Sequence, residues 1–288
     1  MKANSLVVHQ FVLLMPILAR AVTANGQVGS PAEQYQALLR DYQDAAQTYS
    51  KASAAAKNDE ERKKLIRPWD LFAPKFLNLA ERNIRKPAAL DALLWVVENT
   101  ADASEQKDSP RAKAIAHLLR HHSQSEKLGA VCPRLAAGFA KESEMFLRTV
   151  LEKNPHKEVQ GLACLALAQF RSGQLHRLDN LKDEPDLGKL YEDQWGKDYS
   201  DELRRQDRAK FAKEIETLLE RAAEKYGDVK GPFPWTIRAK ANAELWEIRN
   251  LSVGKEAPDI EDIDQDGKKL KLSDFRGKVT LLDFRSQY

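Results

Sequence analysis

The sequence predicts a mainly α protein, an irregular array of α-hairpins followed by a short α/β fragment made of one hairpin plus one strand. Residues 30–251 place apolar side chains at three- and four-residue steps between helix start and stop signals, and no convincing run there alternates apolar with polar. Residues 252–288 switch to short extended runs flanking an Asp-Gly pair.

Length and composition bound what the chain can be. Its 288 residues suffice for one large or two modest domains, and 42% hydrophobic content is enough to build a core. Charged residues make up 31%, with Lys+Arg 46 against Asp+Glu 43. A formal balance of +3 gives no single-sign field of the kind that draws a protein to nucleic acid.

Residues 1–26 stand apart as a signal peptide or N-terminal anchor. Lys2 precedes the largely apolar stretch Leu6 to Ala19, and Ala19-Arg20-Ala21 or Val22-Thr23-Ala24 offers small residues for cleavage. His9 and Gln10 interrupt the apolar run, Pro16 lies near its end, and the run is short for a bilayer span. A cleaved secretory signal, a retained anchor and an amphipathic helix all fit; each places the bulk of the chain in an exported, periplasmic setting.

The helical domain, residues 30–251, begins with its clearest element. Ser30-Pro31-Ala32-Glu33 combines an N-cap, a proline at the first helical position and a glutamate that completes a capping box. Tyr35, Leu38, Leu39, Tyr42, Ala45, Ala46, Tyr49, Ala52 and Ala56 then form one apolar face as far as Lys57. Asn58-Asp59-Glu60-Glu61 offers a second capping box, and Pro68 limits the segment it starts. Further helices follow at Pro74 to Arg82, Pro87 to Asn99, Ser109-Pro110 to His122, Ser143 to Glu152 and Asn154-Pro155 to Phe170. The helix from Asp207 to Tyr226 carries Phe211, Ile215, Leu218, Leu219 and Ala222 on one stripe, with Gly227 placed to end it. After a turn at Gly231-Pro232-Phe233-Pro234, a last helix runs from Thr236 to Asn250. The proline-led helix starts at Lys86-Pro87 and Asn154-Pro155, with Ala222 to Asp228, resemble stacked helical hairpins of the tetratricopeptide or HEAT kind, without their full signatures.

Candidate chemistry in this region is sparse. Cys132 and Cys164 are the only cysteines; a disulfide is open to an exported protein, while the setting Leu162-Ala163-Cys164-Leu165 favours a buried, space-filling thiol. His117 and His121 share a helix face at a spacing that can bind metal, but no glutamate lies between them and no third ligand is identifiable. A solvated helix end is the preferred reading. Asp183, Glu184, Asp186, Glu192 and Asp193 are interleaved with Lys182, Lys189 and Lys197, the pattern of a solvated face. Trp95 and Trp246 are expected in the core, and Trp69, Trp195 and Trp235 either pack or line a binding surface. No phosphate loop, nucleophile elbow or dinucleotide fingerprint occurs, so no catalytic, cofactor or metal residue is assigned.

Residues 252–288 carry the most specific pattern. Ile260 to Ile263 and Leu270 to Leu272 flank Asp266-Gly267, which accepts the positive φ of a tight hairpin. Ser273 can cap a helical turn and Gly277 can close it. Val279 to Phe284 is an apolar run of strand length, the pattern of a strand covered on both faces. In that order, Val253-Gly254-Lys255-Glu256-Ala257-Pro258-Asp259-Ile260, Leu272-Ser273-Asp274-Phe275-Arg276-Gly277-Lys278 and Val279 to Phe284 closely resemble the N-terminal stretch of the alkyl hydroperoxide reductase/thiol-specific antioxidant (AhpC/TSA) and thioredoxin-like redoxin superfamily. The resemblance implies an antioxidant or thiol–disulfide oxidoreductase ancestry, with a Cys-x-x-Cys pair after the strand. Here Arg285-Ser286-Gln287-Tyr288 stands instead, so the fragment is expected to be truncated before the motif and inactive. The alternative is a non-enzymatic helical interaction protein, binding a protein partner through its helices or by strand pairing at Val279 to Phe284.

Overall fold

The computed structural model describes residues 29–102, 108–183, 185–231, 235–252, 255–263 and 266–282. Residues 1–26, read from sequence as a signal or anchor, lie outside the described residues. No helix among the described residues is long and apolar enough to cross a membrane. The chain is mainly helical and separates into two compact units, residues 1–100 and 101–288.

The first unit holds α1 (Pro31–Ala55), the short α2 (Asp59–Lys63), α3 (Pro68–Arg82) and α4 (Pro87–Asn99). The capping box forms at α1: Glu33 N–H donates to Ser30 Oγ at 3.3 Å and Ser30 N–H to the Glu33 carboxylate at 2.7 Å. Asn58 caps α2 through Oδ1, which accepts from Glu61 N–H at 2.9 Å, but the Glu61 carboxylate takes the N–H of Lys57 instead of closing a second box. Tyr35, Tyr42 and Tyr49 recur every two turns of α1 and lay their rings edge-on against Phe76, Phe72 and Trp69, with Tyr42 also 4.8 Å from Trp95. Phe76 stacks on Trp95 at 3.9 Å, closing the core between α3 and α4. Each such ring pair adds about 0.5–1.5 kcal/mol beyond its buried area. Pro74, expected to open a helix, lies inside α3, which starts at Pro68. Burial of Phe72, Ala73, Phe76 and Leu77 on both sides of it offsets the roughly 3 kcal/mol that an interior proline costs.

The second unit contains α5 (Pro110–His121), a 3-10 turn (Glu126–Val131), α6 (Cys132–Ala136), α7 (Lys141–Lys153), α8 (Lys157–Asp183), α9 (Pro185–Trp195), α10 (Lys197–Arg204), α11 (Arg208–Lys225) and α12 (Ile237–Asn250). Helix α8 is the hub: α6, α7, α9, α10, α11 and α12 all pack on it. It starts later than expected because Asn154 is buried and turns the chain. Its Nδ2 donates to the carbonyls of Ser123 and Ser125, and its Oδ1 accepts from His156 N–H. It runs on past Phe170 because Leu178 and Leu181 are buried with Leu203 and Phe211. Gly161 marks a close approach on α8: a Cβ there would lie 2.8 Å from Tyr226 Cβ and 2.9 Å from Ile237 Cδ1, so glycine lets α8 meet both. Gly227, expected to end a helix in the left-handed region, does not adopt positive φ. The α11 cap is Tyr226, whose N–H donates to Ala222 O.

After α12, strands β1 (Glu261–Ile263) and β2 (Lys269–Lys271) pair antiparallel, Asp262 facing Leu270. Gly267 (φ +80) lies between them, and a 3-10 turn at Leu272–Phe275 leads to Gly277 (φ +82), so the expected hairpin and glycine-closed turn are present. Two expectations here are corrected. Ser273 lies within the turn and does not cap it; the Lys271 N–H donates to Asp274 instead, while Ser273 donates its N–H and hydroxyl to Asp259, both at 2.8 Å. Residues 279–282 form no strand, and Val279, Leu281 and Leu282 are exposed, because no neighbouring strand among the described residues supplies backbone partners. Asp283 and Phe284 lie outside the described residues.

Candidate functional site

In the second unit, among the described residues, side chains surround open space at a larger and at a smaller site. The larger is an apolar groove of about 360 Å³ where Pro133 of α6, Leu162, Leu165 and Ala166 of α8 and Trp235 ahead of α12 meet. Helical spacing explains the floor: Leu162, Leu165 and Ala166 fall on one face of α8. Its polar edge is internally satisfied. Gln169 Nε2 donates to Glu244 at 2.7 Å, and Lys240 pairs with the same carboxylate at 3.2 Å. The groove therefore presents apolar surface and Trp235, with little net charge.

The smaller is a polar cavity of about 70 Å³ among α7, α8, α10 and α11, lined by Glu144, Arg171, Gln174, Tyr199, Glu202 and Phe211. Arg171 donates through Nε and one Nη to Glu214 at 3.1 and 2.8 Å and through the other to Gln174 at 2.7 Å; its guanidinium stands 3.8 Å over the Phe211 ring. Arg148 donates to Glu214 at 2.6 Å and to Glu144. Burial works to raise the Glu214 carboxyl, yet Arg148 and Arg171 hold it below its ordinary value. Burial raises the Tyr199 phenol against the pull of Arg177. Arginines and glutamates balance, each of the three nitrogens of this fork donates to an acceptor, and the space admits only a few waters. The cluster is a strut between helices.

Neither cysteine offers a nucleophile. Both are free and buried, so the disulfide alternative is not realised. Burial pushes the Cys132 thiol up to about 12 and the Cys164 thiol up to about 11, and their Sγ atoms lie 3.3 and 3.4 Å from the carbonyls of Leu128 and Leu218. A reactive thiolate needs the opposite shift.

His117 and His121 do lie side by side on α5, with ring centres 6.0 Å apart, and among the described residues no cluster of three or more His, Cys, Asp or Glu could hold a metal. The acidic stretch is dispersed: Glu192 pairs with Arg204 at 3.0 Å, Asp186 and Asp193 are exposed, and Glu184 lies outside the described residues. Trp95 is buried as expected, but Trp246 is exposed on the outer side of α12, a correction to its assignment to the core. Trp195 packs, stacked on Tyr191 at 4.3 Å.

Sequence reasoning missed a highly connected buried carboxylate. Asp102, buried with Arg111, accepts from Arg111 Nε at 2.7 Å, Phe139 N–H at 2.7 Å, Ala140 N–H at 2.9 Å and Ser143 Oγ at 3.0 Å, and so holds the N-terminus of α7. Its partners are far along the chain, and no local pattern marks them. Compared with known protein families, curated proteins and solved structures, the chain gives no match.

Proposed function

We propose that the chain joins a helical interaction module to the opening segment of an exported thioredoxin-like redoxin domain of the AhpC/TSA kind, and that these 288 residues carry out no thiol–disulfide or peroxide chemistry themselves. The observation that supports the lineage is the order of local structures: an antiparallel hairpin, a 3-10 turn pinned by Asp259 on Ser273, and Gly277 at φ +82. The inactivity rests on the only two cysteines being buried in the helical unit with raised thiol pKa values. Export rests on the sequence of residues 1–26 alone.

The test is reduction of insulin disulfides and of hydrogen peroxide by the purified chain. Background rates are expected for both. Turnover well above background that disappears on replacing Cys132 or Cys164 by serine overturns the reading.

A second reading, a non-enzymatic helical interaction protein, is favoured by the apolar groove at Trp235. There the helical domain itself carries the function, and a Trp235→Ala variant that keeps its fold loses partner binding. Docking of Val279 to Leu282 back onto the helices is not part of either reading, since Val279 and Leu281 are almost fully solvent-exposed.

A further inference from the structure

Beyond that reading, the first unit holds a polar cavity that we infer binds a small amphipathic monoanion, a carboxylate head on an apolar body. The cavity measures about 560 Å³, within the roughly 300–1,000 Å³ range of ligand sites, and has Tyr49, Arg62, Leu65, Ile66 and Arg67 on its walls. Arg62 donates through Nη1 to Asp59 at 2.6 Å and Arg67 through Nε to Asp70 at 2.7 Å, and both carboxylates line the same space. Each guanidinium is thereby aimed by one hydrogen bond, while its other nitrogens meet no acceptor among the described residues. Trp69 ties Tyr49 to Arg67: the Tyr49 ring stands edge-on to it at 5.6 Å, and the Arg67 guanidinium lies 5.8 Å from its ring centre.

These features select the ligand. A guanidinium fork matches the two oxygens of a carboxylate, which a point charge such as Lys63, already held by Glu60 at 3.1 Å, does not. Residues 57–70 hold five Lys and Arg against four Asp and Glu, so one negative charge balances the segment and a dianion exceeds it. The existing ion pairs do not stand in the way. Arg62 and Arg67 are 49% and 57% exposed, and pairs in such a setting are worth little against water. Leu65 is half-buried and Ile66 is 69% exposed, so an apolar chain laid along this wall of the cavity takes aliphatic surface out of water. A head without the chain forgoes that burial, and a chain without the head leaves the forks unused.

The experiment is calorimetric titration of the full chain with octanoate, octan-1-ol and acetate. Octanoate should bind at one site, and acetate and octanol should each bind about tenfold more weakly, as loss of a buried chain or of charged hydrogen bonds requires. Arg62→Gln combined with Arg67→Gln should weaken octanoate about tenfold or more, and Ile66→Ser about threefold, while Arg249→Gln in the second unit leaves it unchanged. All four side chains reach solvent, so circular dichroism should show the same helicity throughout. Unaltered octanoate affinity in the double arginine variant, equal affinity for octanol, or no uptake by wild type at millimolar octanoate overturns the assignment. Sedimentation with phosphatidylglycerol vesicles in the absence of octanoate uptake overturns it too, in favour of a membrane-facing surface.

Discussion

Replacing Asp102 by alanine should be among the most damaging single changes in the second unit. The carboxylate is 3% exposed and its partner Arg111 is 4% exposed, so neither charge is supported by water. Burial already lowers the Arg111 pKa, and Asp102 is what opposes that shift. Removing it takes away the charge partner of a buried guanidinium and the acceptor of the N–H groups of Phe139 and Ala140 and of the Ser143 hydroxyl. Breaking a buried pair by deleting one partner costs about 3–5 kcal/mol, and part of the loss here is local to the start of α7. With a urea m-value of about 2 kcal/mol/M, the transition of this unit should move down by about 1.5–2.5 M. Because the chain has two units, the measurement pairs circular dichroism with hydrogen exchange of the Phe139 and Ala140 amides, which should lose protection first. A compensating Arg111→Met in the same background should restore part of the loss, since a neutral pair of similar volume removes the stranded charge. A cost below about 1 kcal/mol for Asp102→Ala, or no recovery in the double variant, would refute the view that this buried pair organises the α7 start.

The remaining expectations are simpler to test. Gly161→Ala should destabilise the second unit by about 1–3 kcal/mol, because the new methyl overlaps Tyr226 and Ile237; an unchanged urea midpoint sinks that argument. Both thiols should resist a thiol-specific chromogenic reagent at pH 8 in the native protein and react once it is unfolded. Their folded pKa values lie above the unfolded value, so the stability they contribute is present below about pH 8.5 and is lost as pH rises towards 11–12; alkaline melts should show the decline. Trp95→Ala should cost about 3–5 kcal/mol in the first unit, whereas exposed Trp246→Ala should stay within about 0.5 kcal/mol, as read from paired denaturation curves.

Local rules carried the sequence reading a long way, and the places where they stopped are physically specific. Ser30, Pro31 and Glu33 declared the start of α1 because every group in a capping box lies within one turn. The hairpin at Asp266-Gly267 and the turn at Gly277 were legible for the same reason. Pro74 misled because proline's local penalty is overridden by aromatic burial on either side of it. The 3-10 turn at Glu126–Val131, α9 and α10 are short, at 6, 11 and 8 residues, and gave a periodicity few turns in which to repeat. Trp246 looked internal because tryptophan usually is, and only the packing of α12 by Ile237, Ala241 and Leu245 shows which face turns inward. For the site, the groove combines three helical segments distant in sequence, and Asp102 finds its partners in the 139–143 segment. Long-range pairings of this kind leave no trace in a periodicity.

The hub position of α8 bears on how this protein could change over time. In an array where each helical pair touches only its neighbours, a pair can be lost or duplicated and the rest still stacks. Here one 27-residue helix is the shared wall for α6, α7, α9, α10, α11 and α12. Excising any one of them strips a side of the same helix, so the helices packed on α8 stand or fall together and offer no separable pair to lose or copy.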